Sequence, residues 1–267
     1  MTNKNIPTTE ILMNLNNLNR VNLQTGLIDG HVHLSEIEHP ERAVENAVKA
    51  GVKRMVAVAM NIDSCRNTLV LADRFPDTVF PAIGYHPWSI KAEKVEDTLI
   101  FITQNIHRCV ALGEVGLDYK VKVKKTLQKA VFSKLLNLAV QSNKPVIIHS
   151  RFSYQRTYEM AVGAGVEKAV FHWYSGPMDI LDNIIASGFF VSATPALAHS
   201  PYHQAAIKRA PVERILIETD APVQYGDRAS EPAGLHETLF HLSRIKKIPE
   251  AKLAGIVTKN AERFFGL

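Results

Sequence analysis

Four histidines and two carboxylates stand where a short apolar run gives way to polar residues. His31 and His33 follow Leu27–Ile28 in Asp29-Gly30-His31-Val32-His33, and Glu114 closes the run from Cys109. His149 closes the run from Pro145, His172 the run from Ala169, and Asp220 follows Glu218-Thr219. Imidazole nitrogen together with carboxylate oxygen suits Zn²⁺, Mn²⁺, Fe²⁺, Ni²⁺ or Co²⁺, whereas carboxylates alone would favour Mg²⁺; ligand type does not choose among them. On a strand, residues two apart share a face, so His31 and His33 can reach one ion. Each residue alone has a plainer reading. H-x-H occurs incidentally, His149 and His172 can be satisfied core histidines, and Glu114 can be a buried partner of a cation. Asp220, ahead of Ala221-Pro222, suits the N-cap of a turn. The weight lies in the set, because all of them fall at the ends of apolar runs. The ligands separate into His31, His33 and Asp220 for one ion and His149 and His172 for another, with Glu114 shared. Two ions about 3.5–4 Å apart are what in-line phosphoester displacement uses.

The elements that would position these residues follow from periodicity. Strands are expected at 27–28, 52–59, 78–83, 109–114, 145–149, 169–172, 189–192 and 214–218. Helices are expected at 41–50, 63–75, 96–107, 126–141, 154–163, 178–186 and 201–209, with a helical tail at 235–245 and 250–265. Strands alternating with helices eight times predict an α/β fold, a (β/α)₈ TIM barrel of the metal-dependent hydrolase type, whose active site lies at the C-terminal ends of the strands. A doubly wound open sheet is the alternative. It usually stops at six or seven strands, and no G-x-G-x-x-G follows the first strand here.

Composition fits one such domain. The chain has 267 residues, 46% hydrophobic and 21% charged, enough to bury a large core and too apolar for disorder. No apolar run reaches the length of a membrane span, and the first 25 residues lack the apolar stretch and basic start of a signal peptide. Two cysteines, Cys65 and Cys109, fit a reducing compartment, so the expectation is a cytoplasmic protein without membrane contact. Residues 1–25, rich in Asn, are expected to form an N-terminal extension to a single catalytic domain at 26–267, and a monomer is the expected state. The net charge is +5 with a pI near 9.1, which tolerates an anionic partner without demanding one. The densest basic run, Lys120 to Lys129, reads as a solvated helix start.

The ordered motifs Asp29-x-His31-x-His33, Gly84-x-His86-Pro87, Gly113-Glu114-x-Gly116-Leu117-Asp118, Pro145-x-x-x-His149-x-Arg151, His172-x-x-Ser175-Gly176 and Thr219-Asp220-x-Pro222 resemble the TatD family of metal-dependent hydrolases and deoxyribonucleases, from about residue 27 to the C-terminus. The resemblance implies an amidohydrolase-type barrel with two divalent metal ions held by His31, His33, Glu114, His149, His172 and Asp220. It implies phosphodiesterase or nuclease activity on nucleic acid, with Glu114 and Asp220 as catalytic residues and Asp220 as general base. It also makes His86 and Arg151 candidates for gripping phosphate oxygens, or supports of the ligands, and Asp118 a residue that orients a ligand histidine. Three features depart from the family pattern: the N-terminal extension, the short segment from His33 to Arg42, and the segment from Gly226 to Pro232. Trp173 and Tyr174 are read as packing the barrel rim rather than stacking a base. The same metal site could serve another ester or amide, for example a D-aminoacyl-tRNA. A deaminase lacks support, since no H-x-E is followed by P-C-x-x-C. A binding module without activity would be expected to have lost ligands, and all six are present.

Overall fold

The apolar runs become eight strands of one parallel sheet, in the order β1-β2-β3-β4-β5-β6-β7-β8: β1 (Leu27–Val32), β2 (Val52–Val58), β3 (Val79–Ile83), β4 (Ala111–Asp118), β5 (Val146–Arg151), β6 (Ala169–Phe171), β7 (Phe190–Ala193) and β8 (Ile215–Ile217). This computed structural model describes residues 26–226 and 228–267; the expected extension at 1–25 lies outside them. The helices are α1 (Pro40–Lys49), α2 (Ile62–Arg74), α3 (Val95–Asn105), α4 (Lys125–Gln141), α5 (Tyr154–Gly163), α6 (Met178–Ala186), α7 (Pro201–Arg209), α8 (Leu235–Lys246) and α9 (Glu250–Phe265). No helix among the described residues is long and apolar enough to cross a membrane. The expected TIM barrel is the observed fold.

Strand alternation sorts the core into two layers. Outward residues such as Met55, Leu112 and Ile148 pack against helix residues such as Leu135, Ile184 and Leu239. Inward residues fill the lumen, with at least one from every strand: Ile28, Val56 and Val58, Ala82, Ala111, Ile147, Val170, Phe190 and Leu216. They are plugged from below by Ala261, Phe264 and Phe265 of α9. The seam between β8 and β1 closes just past β8, where the Asp220 amide donates to the His31 carbonyl (3.0 Å) and the His33 amide to the Ala221 carbonyl (2.8 Å). The hydrogen bonds that complete the barrel therefore also set three of the six candidate ligands side by side. Asp29, fully buried, reinforces the seam by accepting from the Thr219 amide (3.0 Å) and hydroxyl (2.6 Å).

One strand differs from expectation in a way that matters. β4 does not end at Glu114 but continues to Asp118. Gly113 and Gly116 are places of close approach to β5. A Cβ at Gly116 would lie 1.9 Å from the His149 carbonyl oxygen, so only glycine lets β4 run this close to β5. The β4–β5 register shifts between Leu112 and Val115, and Glu114 sits within that irregularity.

Candidate metal centre

Three donors, from His31, His33 and Asp220, converge above the lumen, with Glu114 beside them. The Nε2 atoms of His31 and His33 lie 3.1 Å apart. Each is 3.5 Å from Glu114 Oε2, and they are 3.5 and 3.4 Å from Asp220 Oδ1. Ligands bonded at about 2.0–2.1 Å to a tetrahedral ion are spaced about 3.3–3.4 Å from one another; the His31, His33 and Asp220 atoms, mutually within 4.8 Å, are close to that spacing and fit a zinc-sized divalent cation, with Glu114 Oε2 alongside both imidazoles. The tautomers agree. His33 Nδ1 donates to the Val58 carbonyl oxygen (3.2 Å), which leaves the Nε2 lone pair turned toward the cluster.

Glu114 presents its other oxygen to a second group. Oε1 is 2.9 Å from His172 Nε2, 3.0 Å from His149 Nδ1 and 3.3 Å from His86 Nε2. The far nitrogens of two of these rings donate to carboxylates: His172 Nδ1 to Glu218 Oε1 (3.3 Å) and His149 Nε2 to Asp118 Oδ2 (3.2 Å). In the neutral rings the near nitrogens then bring lone pairs against an anionic oxygen. That contact is repulsive unless a proton or a metal ion lies between, and buried metal-ligating histidines are oriented by carboxylates in this way. The donor set thus fits divalent metal on both sides of Glu114.

Charge is concentrated accordingly. Burial opposes the cationic forms of His33, His149 and His172, yet Asp220, Asp118 and Glu114 hold all three above the usual imidazole value, His172 well above. Burial likewise opposes ionisation of Glu114 and Asp220, but the surrounding imidazoles hold both carboxyls below their ordinary value, Glu114 well below. His86 goes the other way, pulled down to about 4 by burial. Its Nδ1 accepts from the Trp88 amide (3.3 Å), so Nε2 carries the proton and faces Glu114 Oε1 at 3.3 Å.

Above these groups opens a cavity of about 1120 Å³ whose walls include Trp88, Arg151, Phe152, Trp173 and Tyr202. Arg151 pairs with Asp118 Oδ2 at 2.7 Å, leans on the Trp88 ring (5.9 Å to its centroid) and leaves its buried Nε without a hydrogen-bond partner among the described residues. Trp173 and Tyr174, read together as rim packing, separate. Tyr174 is buried and donates to the Pro177 carbonyl (2.6 Å), whereas Trp173 faces the cavity beside Tyr225 (5.3 Å between ring centroids).

The structure therefore brings together all six residues expected as ligands, and places Asp118 against His149 as expected. Sequence reasoning missed Glu218, which stands two residues before Asp220 and so shares its face of the strand end; that spacing was the available signal. It also missed Trp88, for which the sequence carries no signal beyond adjacency to His86-Pro87.

Comparison with known proteins gives concordant findings. The family described as TatD related DNase matches residues 28–266. The human deoxyribonuclease TATDN3 is 28% identical over 259 residues, covering 90% of this chain and 94% of the relative. An uncharacterized metal-dependent hydrolase of Bacillus subtilis is 27% identical, covering 90% of this chain and 98% of its own. Among solved structures, the Escherichia coli TatD homologue YJJV superposes with a TM-score of 0.82 at 21% identity, covering 90% of this chain and 98% of that one. A TatD-family hydrolase from Entamoeba histolytica superposes with a TM-score of 0.80 at 19% identity, covering 90% and 98%.

Proposed function

The chain belongs to the TatD related DNase family and is a metal-dependent hydrolase; from that premise we propose that it cuts DNA phosphodiesters at a centre of two divalent ions. His31, His33 and Asp220 would hold one ion, His149 and His172 the other, and Glu114 both. The observation that carries this reading is the division of Glu114 itself, one oxygen 3.5 Å from two imidazoles and the other within 3.0 Å of two more. Ions held there lower the pKa of water and offset charge on phosphoryl oxygens.

The protein's own groups supply the rest. Asp220 is the general base; its carboxyl is held below the ordinary value, so it is ionised at neutral pH and able to take the proton of the attacking water. Arg151 offers a planar donor fork to a non-bridging phosphate oxygen, held in place by Asp118 and Trp88. His86, neutral and at the cavity wall with its Nε2–H 3.3 Å from Glu114 Oε1, would donate to a second oxygen. All of these groups come from one chain, which supports a monomer as the working unit. We take residues 26–267 as the catalytic domain, with 1–25 as an extension. The two buried, unbridged cysteines support a cytoplasmic site of action.

The test is hydrolysis of single-stranded and duplex oligodeoxynucleotides by the metal-loaded protein, in parallel with a D-aminoacyl-tRNA and simple esters. DNA cleavage that chelator abolishes and added metal restores is expected. Inertness toward DNA together with turnover of the aminoacyl ester would replace the proposed substrate.

A further inference from the structure

Between residues 119 and 158 the chain carries nine Lys and Arg and no Asp or Glu, whereas the other 227 residues carry 22 Lys and Arg and 26 Asp and Glu. The protein's net positive charge therefore sits on one sector of the barrel: the loop leaving β4, α4, β5 and the start of α5. Four of the nine, Lys120, Lys122, Lys124 and Lys125, fall in that loop and at the first residue of α4, and all are exposed. None of the four has an ion-pair partner among the described residues, although Lys125 lies over the Tyr119 ring at 4.5 Å. Because the loop follows a strand's C-terminal end, it stands on the active-site face.

This loop is held rather than loose. The fully buried Gln128 accepts from the Asp118 amide (2.8 Å) and donates to the carbonyls of Asp118 (2.8 Å) and Val123 (2.9 Å). The Tyr119 amide donates to the Arg151 carbonyl (2.9 Å), and the Lys120 amide to Asp118 Oδ1 (2.9 Å). Lys120 is thus anchored through its amide to the carboxylate that bonds His149 and Arg151, and Gln128 ties down the loop at Val123 between Lys122 and Lys124. They also crowd the positive end of a helix whose first turn holds no acid and whose N-cap makes no side-chain bond. Cations there oppose the helix dipole and one another. A solvated helix start explains the exposure of the lysines but not why like charges are pinned together beside the site. A bound polyanion reverses the sign of both repulsions.

We propose that Lys120, Lys122, Lys124 and Lys125 form a docking strip for the phosphodiester backbone of a nucleic-acid strand, holding the segment that runs away from the bond being cut. The strip rests on the phosphodiesterase reading for its purpose, but its binding can be measured without turnover. Three full-length proteins serve: wild type, the fourfold Lys→Gln variant and the fourfold Lys→Arg variant. Binding of a labelled 20-nucleotide single strand is followed by fluorescence anisotropy, with chelator present, from 50 to 200 mM NaCl.

Each single-strand phosphate contact contributes about 0.7 to the slope of log affinity against log salt, so the Gln variant should lose about 2–3 from the wild-type slope and roughly tenfold or more in affinity. The Arg variant should retain both. In the metal-loaded enzyme, KM for the 20-mer should rise with kcat unchanged, and turnover of bis(p-nitrophenyl) phosphate, which cannot reach the strip, should not change. An unaltered slope in the Gln variant, no strand binding by wild type, or an equal loss on the small diester would overturn the strip. So would a loss confined to phosphatidylserine vesicles. A wild type that binds with the expected slope but cleaves neither substrate would sink the phosphodiesterase reading and leave the strip standing.

Discussion

At the floor of the lumen, Ile147, Val170 and Leu216 pack with Phe190 against Phe264 and Phe265. Two residues further along the same strands or their exits, the same inward face carries His149, His172 and Glu218, with Asp220 two beyond. On β5 and at the exits of β6 and β8 the strand's period of two carries the inward face from one layer to the next, whereas His31, His33 and Glu114 reach the mouth through register shifts in β1 and β4. The floor contributes hydrophobic stabilisation, and the mouth offsets part of it by burying charge that only a cation or a partner relieves. Residues at the floor should therefore govern stability with little effect on chemistry, and residues at the mouth the reverse.

The largest effect expected of that contrast is at the mouth. Asp220→Asn should lower kcat by on the order of 10²–10⁴-fold, the usual contribution of a general base, with an unchanged circular dichroism spectrum. A loss below tenfold would remove Asp220 from that role. At the floor, Phe264→Ala should cost about 3–5 kcal/mol in urea unfolding, the usual range for a buried Phe, while the metal stoichiometry of the folded fraction stays the same. If metal were lost before the fold, the two layers would not be separable.

His203 offers a third comparison, because it is a buried histidine outside the cluster. Its Nδ1 donates to the Tyr174 carbonyl (2.8 Å) and its Nε2 accepts from the Thr194 amide (3.2 Å). Burial lowers its pKa to about 4 despite the Tyr174 bond. The neutral ring is the folded form, so its contribution is complete above the unfolded value near 6.5 and is lost as pH falls from there through about 4, amounting to at most about 3 kcal/mol. The stability gap between wild type and His203→Gln, measured on metal-free protein, should narrow across that window; a gap independent of pH would contradict the assignment. Smaller still is Glu218→Gln. If Glu218 orients His172, the substitution should weaken metal binding by about 10–100-fold in direct titration, while a purely structural role would move the melting temperature and leave affinity alone.

Much of this is legible in the sequence. The alternation of strands and helices predicted the barrel, and the position of polar residues at the ends of apolar runs predicted the cluster. Glu114 joins the cluster, though not from the position expected of it. It was expected as a strand terminus, but it lies inside β4, because Gly113 and Gly116 permit close approach to the neighbouring strands instead of ending β4. Glu218 escaped notice because two carboxylates two residues apart look alike in sequence; only the fold shows one turned to His31 and His33 and the other to His172. The lysine loop was visible as composition, but its meaning depends on Gln128 and Arg151 reaching it from other elements.

The central claim is that Glu114 joins two ions held by separate histidine pairs. Metal analysis of wild type, the His31→Ala/His33→Ala double variant and the His149→Ala/His172→Ala double variant addresses it directly. Two ions per chain in wild type and one in each double variant are predicted, whereas less than half an ion per chain in wild type, or a single wild-type ion that either double variant abolishes, would contradict the two-ion centre.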